Sequence, residues 1–332
     1  MNKPRVAIGS LGGTISMTPP DSGVGAVPTL GAEQLAASVP GLADVAELTA
    51  ESLLQLPSAS LTTAHLGQCL DWANAQVDAG AAGVVLTQGT DTIEESAYYL
   101  DLYWQRDEPL IVTGAMRTPR VAGADGPANL LAAVRTVIEP NSRSRGVLIV
   151  MNDTIHSARW VRKSDALSVE TFASGDIGVQ GRVIEGVPNY FQRPPTRLLA
   201  PAATRPFPKI ALLAVAMGDD GDLADAAVAA GYEGIVVSAF GAGHVSAAFA
   251  DRIERLSKEV PVLIATRTGG GRTATSTYGF AGSEIDLVRR GALLCEWLSP
   301  LKARLLLGSL LASGCTRADL TEGIGRWGKV CV

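Results

Sequence analysis

The stretch "GVVLTQGTDTIEESAYYLDLYWQ", residues 83–105, changes its pattern halfway along. "GVVLTQ" (83–88) is a near-continuous apolar run, as expected of a strand buried on both faces of a parallel sheet. "DTIEESAYYLDLYWQ" (91–105) reads as a helix. A strand, a polar turn and a helix make half of a βαβ unit. The same unit repeats outward from this point. "RVAIGS" (5–10), "PLIVTG" (109–114) and "GVLIVM" (146–151) are further strands, with "AHLGQCLDWANAQVDAG" (64–80) and "GPANLLAAVRTVIE" (126–139) as helices between them. Alternating elements of this kind predict a parallel sheet covered on both faces.

"QRPPTRLLAPAATRPFPK" (192–209) carries five prolines, which remove backbone donors and block helices. It is the linker candidate. Beyond it the alternation restarts with "KIALLAVAM", "GIVVSAF" and "PVLIATR" as strands, and "PLKARLLLGSLLASG" closes as a helix. The expected fold is therefore α/β: a large N-terminal parallel-sheet domain (1–191), a linker (192–208) and a smaller C-terminal α/β domain (209–332).

Of 332 residues, 47% are apolar, enough for real cores, yet no apolar run approaches the roughly 20 residues that span a bilayer. The N-terminus lacks the apolar core of a secretory leader. A net charge of −5 with only short basic clusters argues against a nucleic-acid or membrane partner. Four scattered cysteines and three histidines predict neither a disulfide network nor a metal site. They read as buried thiols of a cytoplasmic protein.

In open parallel sheets, ligands bind beyond the carboxyl ends of the strands. Two polar clusters fall there: "LGGTIS" (11–16) and "TQGTDT" (87–92). Thr14 reads either as a polar turn residue or as a nucleophile. Thr90 and Asp91 would face the same crevice if their strands are neighbours. The same segment also spells a helix start, with Thr92 as N-cap and Glu95 three residues on, or Asp91 as the cap, and pattern alone leaves both readings open. The glycines fit neither dinucleotide nor P-loop spacing, and no G-x-S-x-G elbow occurs. A threonine nucleophile needs a base, and "RWVRKSD" (159–165) offers Lys163. Composition alone reads Lys163 as a solvated surface lysine.

Taken together, "LGGTIS", "TQGTDTIEESAYYLDL", "VTGAMR", "ADGPANLLAAV", "VLIVMNDTIHSARWVRKSDALSVETFAS" and "LSPLKARLLL" resemble, in order, the bacterial-type L-asparaginases, and the likeness covers essentially the whole chain. It implies that Thr14 attacks a side-chain amide and forms a β-aspartyl ester. It implies that Thr90, Asp91 and Lys163 form a polar triad, with Asp91 also binding the substrate amino group. Ser58 in "LPSASL" would hold the α-carboxylate, and Glu284 in "YGFAGSEID" would reach a neighbouring subunit's site. The family uses no metal or cofactor and is tetrameric, built from dimers that share active sites.

The sequence departs from the family pattern at several points. No tyrosine occurs in the lid segment "MTPPDSGVGAVPT" (17–29), and Tyr278 is a candidate replacement. Ala59 stands where glutamine is usual beside the substrate-binding serine, Gln88 where histidine precedes Gly-Thr-Asp, and Ser246 in "GAGHVS" where asparagine is usual. His244 and His156 read as structural. The expected activity is hydrolysis of L-asparagine to L-aspartate and ammonia. The alternatives are an amidase for glutamine, D-asparagine or another β-amide, a binding protein without turnover, and a tRNA-linked amidotransferase subunit.

Overall fold

A computed structural model describes residues 3–13, 15, 17–18, 27–28, 32–37 and 39–330, with backbone only at 17–18, 27–28, 32 and 35. Thr14 lies outside the described residues, as does most of the lid segment. The chain divides into two compact units, Met1–Leu199 and Ala200–Val332.

The strands of the first unit are β1 (Arg5–Ser10), a short pair β2 (Met17–Thr18) and β3 (Val27–Pro28), β4 (Glu47–Ser52), β5 (Val84–Thr87), β6 (Leu110–Thr113), β7 (Val147–Met151), β8 (Thr154–Ser157), a second short pair β9 (Arg162–Lys163) and β10 (Phe172–Ala173), then β11 (Gly181–Ile184) and β12 (Val187–Tyr190). Eight of them form one sheet in the order β12-β11-β8-β7-β6-β5-β1-β4. Its helices are α1 (Ala32–Ala37), α2 (Leu42–Val45), α3 (Thr63–Asp78), α4 (Ile93–Tyr103) and α5 (Gly126–Ile138). Strand alternation sorts the apolar residues onto the two faces. Val84 and Leu86, with Val112 and Ile149, pack against Cys69 of α3 and Ile93, Ala97 and Leu100 of α4. Val85, with Ile8, Ile111 and Leu148, packs against Leu130, Ala133 and Val134 of α5. Both faces are dry, so strands with uninterrupted Val, Ile and Leu are what this sheet requires.

Pairing is parallel from β4 through β1, β5 and β6 to β7. The far edge differs from the expected parallel sheet, because β8, β11 and β12 are antiparallel. The cause is a two-residue turn after β7, where Asn152 and Asp153 both take positive φ, 49° and 56°. That is the geometry of a tight hairpin turn, and it sends the chain straight back.

The second unit is a parallel four-stranded sheet, β13 (Ile210–Ala214), β14 (Gly234–Ala239), β15 (Val262–Thr266) and β16 (Leu293–Leu294). Helices α6 (Asp222–Ala229), α7 (Ala247–Leu256) and α8 (Glu284–Arg289) contribute Ala224, Phe249, Ile253 and Leu287 to one core. Two more helices, α9 (Pro300–Ala312) and α10 (Arg317–Trp327), complete it. Cys69, Cys295 and Cys315 are free thiols, and burial pushes Cys69 up to about 11, so it is not poised as a nucleophile.

In the first unit the register aligns Ser10 with Ser52 and Thr87, and Thr87 with Thr113, at the carboxyl ends of four parallel strands. Gly12 and Gly13 leave this level at φ 100° and 88°. A methyl on Gly12 would lie 2.7 Å from the Leu56 carbonyl oxygen, and one on Gly13 would lie 2.5 Å from Gly89 Cα. Only glycine lets the chain pass here. Positive φ costs a non-glycine residue about 1–2 kcal/mol, so Gly13→Ala should lower the unfolding midpoint by roughly 2–8 °C. Calorimetry of the variant tests this, and an unchanged midpoint would mean that the passage is loose.

Candidate active site

The carboxyl end of β5 runs through Gln88 and Gly89 into a 3-10 turn, Thr90–Thr92, which leads directly into α4. Thr90 is buried, whereas the Asp91 side chain is 70% exposed. Lys163 arrives from β9, with its side chain only 15% exposed. Its ammonium donates to Thr90 Oγ1 at 3.1 Å and to Asp91 Oδ1 at 2.7 Å. The structure therefore brings Thr90, Asp91 and Lys163 together. An ion pair this open contributes on the order of 1 kcal/mol or less to stability. Ammonium has only donors, so the bond to Thr90 uses a lone pair of that oxygen and leaves its O–H free to turn elsewhere.

Ser58 joins the same cluster. It opens a 3-10 turn, Ser58–Ser60, and is buried, while the adjacent Ala59 is exposed. Its hydroxyl lies so close to Gly89 that a methyl there would be 2.7 Å from Ser58 Oγ. Its carbonyl accepts from Thr92 Oγ1 at 3.1 Å. That bond settles the helix-start ambiguity. Thr92 does not cap α4 with its side chain, because its hydroxyl bridges to the Ser58 turn. Asp91 is engaged by Lys163.

Two further residues brace this group, and a third holds the loop after β6. Gln88 is buried; its Oε1 accepts from Ser96 Oγ at 2.8 Å and its Nε2 donates to the Gly89 carbonyl at 3.3 Å. Glu94 accepts the Lys163 backbone N–H at 2.8 Å. Asp125 accepts the N–H groups of Met116 and Arg117 at 2.9 and 2.8 Å, fixing the "GAMR" loop beyond β6. Sequence reading passed over Glu94 and Asp125, because an acid in or before a first helical turn is the ordinary helix-start signal.

Ser246 and Glu284 belong to the second unit, and their polar atoms have local partners. Ser246 caps α7 by accepting from Phe249 N, and donates to the Asp219 carbonyl at 2.8 Å. Glu284 is fully buried. Its Oε1 accepts from Thr277 N at 2.6 Å and Tyr278 N at 2.7 Å, and its Oε2 lies 3.2 Å from His244 Nε2. The carboxylate thus holds the 277–283 turn and has no face open to a ligand. Tyr278 and Phe280 pack edge-on against His244 and remain half exposed. His156 is buried against Ser174, 2.9 Å away. Among the described residues, no group of three or more His, Cys, Asp or Glu is placed to hold a metal ion.

Burial alone would push the Glu284 carboxyl up, but the N–H groups of Tyr278 and Thr277 and the contact with His244 outweigh it and hold it below its ordinary range. A carboxyl lowered in the folded state stabilises above its unfolded pKa of about 4.3, and that stability disappears as pH falls through the folded value. Glu284→Gln should therefore lower the unfolding midpoint near pH 7, and the gap to wild type should narrow as pH falls below about 4.3 and close once pH has passed the lowered folded value. Midpoints measured across pH test this; a gap independent of pH would exclude the charge as its source.

Family models described as "Asparaginase, N-terminal" and "Glutaminase/Asparaginase C-terminal domain" match residues 5–196 and 209–322. An L-asparaginase of Bacillus licheniformis is 34% identical over 94% of this chain and 97% of its own length. L-asparaginase 2 of Escherichia coli is 34% identical over 92% of this chain and 88% of its own. A glutaminase-asparaginase of Pseudomonas fluorescens is 33% identical, covering 91% and 84%. The crystal structure of a probable cytoplasmic L-asparaginase from Campylobacter jejuni superposes with a TM-score of 0.86 at 30% identity, covering 97% of this chain and 99% of that one. With both halves matched and the strand-end threonine, aspartate and lysine assembled, the chain is a member of the asparaginase family of amidohydrolases.

Proposed function

We propose that this enzyme hydrolyses the side-chain amide of L-asparagine to L-aspartate and ammonia through an ester on Thr14. The observation that carries the reading is the Lys163 ammonium bonded at once to the Thr90 hydroxyl and the Asp91 carboxylate, in the loop against which Gly13 packs. Gly13 directly precedes Thr14 in the chain.

Attack by Thr14 Oγ on the amide carbon forms the C–O bond and places negative charge on the carbonyl oxygen. Lys163 first gives its extra proton to Asp91 Oδ1, and the Thr14 proton then passes through the Thr90 hydroxyl to the Lys163 amine, from which it is returned by the same path to the amide nitrogen. The C–N bond then breaks and ammonia leaves. Water cleaves the β-aspartyl ester by the reverse proton path, releasing aspartate and restoring the hydroxyl. The exposed carboxylate of Asp91 suits the substrate ammonium, and the Ser58 hydroxyl suits its α-carboxylate. Ala59 offers no side-chain hydrogen bond to the substrate. Ser246 and Glu284 act by shaping the segments they hold, since their polar atoms are already engaged. No cofactor is required, because water is the only co-reactant.

The working assembly in this reading is a homotetramer of dimers. Tyr278, Phe280, Ile285 and Val288, all half exposed on one stretch of the second unit, support an apolar contact surface. Cytoplasmic location is supported by three free thiols among the described residues and by the likeness to the probable cytoplasmic L-asparaginase of Campylobacter jejuni. No described helix is long and apolar enough to cross a membrane.

Ammonia release from L-asparagine, L-glutamine and D-asparagine tests the proposal. Thr14→Ala should abolish turnover with the fold retained, and Lys163→Ala should reduce kcat by about 10²- to 10⁴-fold. L-asparagine should be the fastest substrate. Wild-type turnover by Thr14→Ala would remove it as the nucleophile, and faster release from another amide would reassign the substrate.

A further inference from the structure

Lys163 stands on a weak foundation. Its strand β9 has two residues and pairs only with the two-residue β10, in a ladder separate from the main sheet. An isolated pair this short cannot fix a side chain by itself. The far side of Lys163 is fixed by something else. Its backbone N–H donates to Glu94 Oε2 at 2.8 Å, and Glu94 lies in the first turn of α4. Thr90 and Asp91, which hold the ammonium, belong to the turn that feeds that same helix. The segment 90–94 therefore grips Lys163 at both ends, the backbone through Glu94 and the ammonium through Thr90 and Asp91.

From this two-ended grip we infer that Glu94 is the positioning residue that aims Lys163 at Thr90. The inference rests on the role given above to Lys163. Without the Glu94 acceptor, the Lys163 N–H turns to water and Lys163 loses its backbone tie to α4. The ammonium then keeps an open ion pair with Asp91, which is too weak to set its direction. A displacement of about 1 Å at a reacting group can cost on the order of 10²-fold in rate. An acid in a first helical turn also has a plain structural use, favouring the helix dipole. That use needs the charge, whereas holding an N–H needs only an acceptor oxygen, which glutamine retains.

The experiment compares Glu94→Ala, Glu94→Gln, Lys163→Ala and the Glu94→Ala/Lys163→Ala double variant in the full-length enzyme. The assay is kcat and KM for L-asparagine, with the unfolding midpoint measured in parallel. Glu94→Ala should lower kcat by about 10- to 100-fold with KM changed less than about twofold, and Glu94→Gln should recover most of the rate. In the Lys163→Ala background, Glu94→Ala should cost no further rate, because the two act through one group. The inference is overturned by wild-type kcat in Glu94→Ala, by a loss that falls in KM, by a glutamine variant as slow as alanine, or by a double variant slowed by both factors. Full activity in Lys163→Ala would instead refute the role of Lys163. A dead Lys163→Ala beside an unaffected Glu94→Ala would refute the positioning role alone.

Discussion

Parallel pairing in register sets the carboxyl ends of β4, β1, β5 and β6 at one level, and the polar chemistry of the first unit is built out from that level. Ser52, Ser10, Thr87 and Thr113 mark it. The chain beyond it is laced strand to strand: Leu11 N–H bonds the Thr87 carbonyl, Gln88 N–H the Thr113 carbonyl, and Leu56 N–H the Leu11 carbonyl. Loops that would otherwise wander are held within a hydrogen bond of each other for the first few residues past the sheet. A slip of one residue in any pair would exchange side chains between the two core faces, mismatching them with α3 and α4 on one side and α5 on the other, and carry these loops out of line. The dry, two-faced core is what forbids such a slip.

The first turn of α4 converts that alignment into a site. Thr92 ties to the Ser58 turn, Glu94 to Lys163 and Ser96 to Gln88. Three short segments with little regular structure of their own are thereby referred to one rigid helix. Placing the fastening points on a helix, rather than on the loops, keeps the relative positions of Ser58, Thr90 and Lys163 precise.

Strand-forming runs were legible because uninterrupted Val, Ile and Leu have few other uses in a soluble chain. The strand-end placement of Thr90 and Asp91 followed from the same pattern. Lys163 was not legible from composition, since a lysine in a basic stretch is ordinarily solvated, and only the order of motifs singled it out. The antiparallel edge was missed although Asn152-Asp153 carries it, because one dipeptide that tolerates positive φ is a small signal beside the long apolar runs. Thr92 and Glu94 were obscured for a different reason. Helix starts and polar sites use the same residue types, and which partner a hydroxyl or carboxylate selects depends on distant segments such as Ser58 and Lys163. Glu284 shows the limit of motif matching: its position was recognised, but its burial against Thr277, Tyr278 and His244 is a property of packing.

The interior place of β1, between β4 and β5, has a consequence for how the chain is made. Ala7 pairs with Thr49 on one side and with Val84 on the other. Strand β1 therefore cannot complete its hydrogen bonding until residues far downstream have been synthesised. At about 5–20 residues per second, the interval to Val84 is roughly 4–15 s. Closing so long a loop is also entropically costly, which slows the step that ends the wait. Until Val84 and its neighbours are made, "RVAIGS" can pair on its β4 side alone and keeps one open, apolar strand edge in the growing chain.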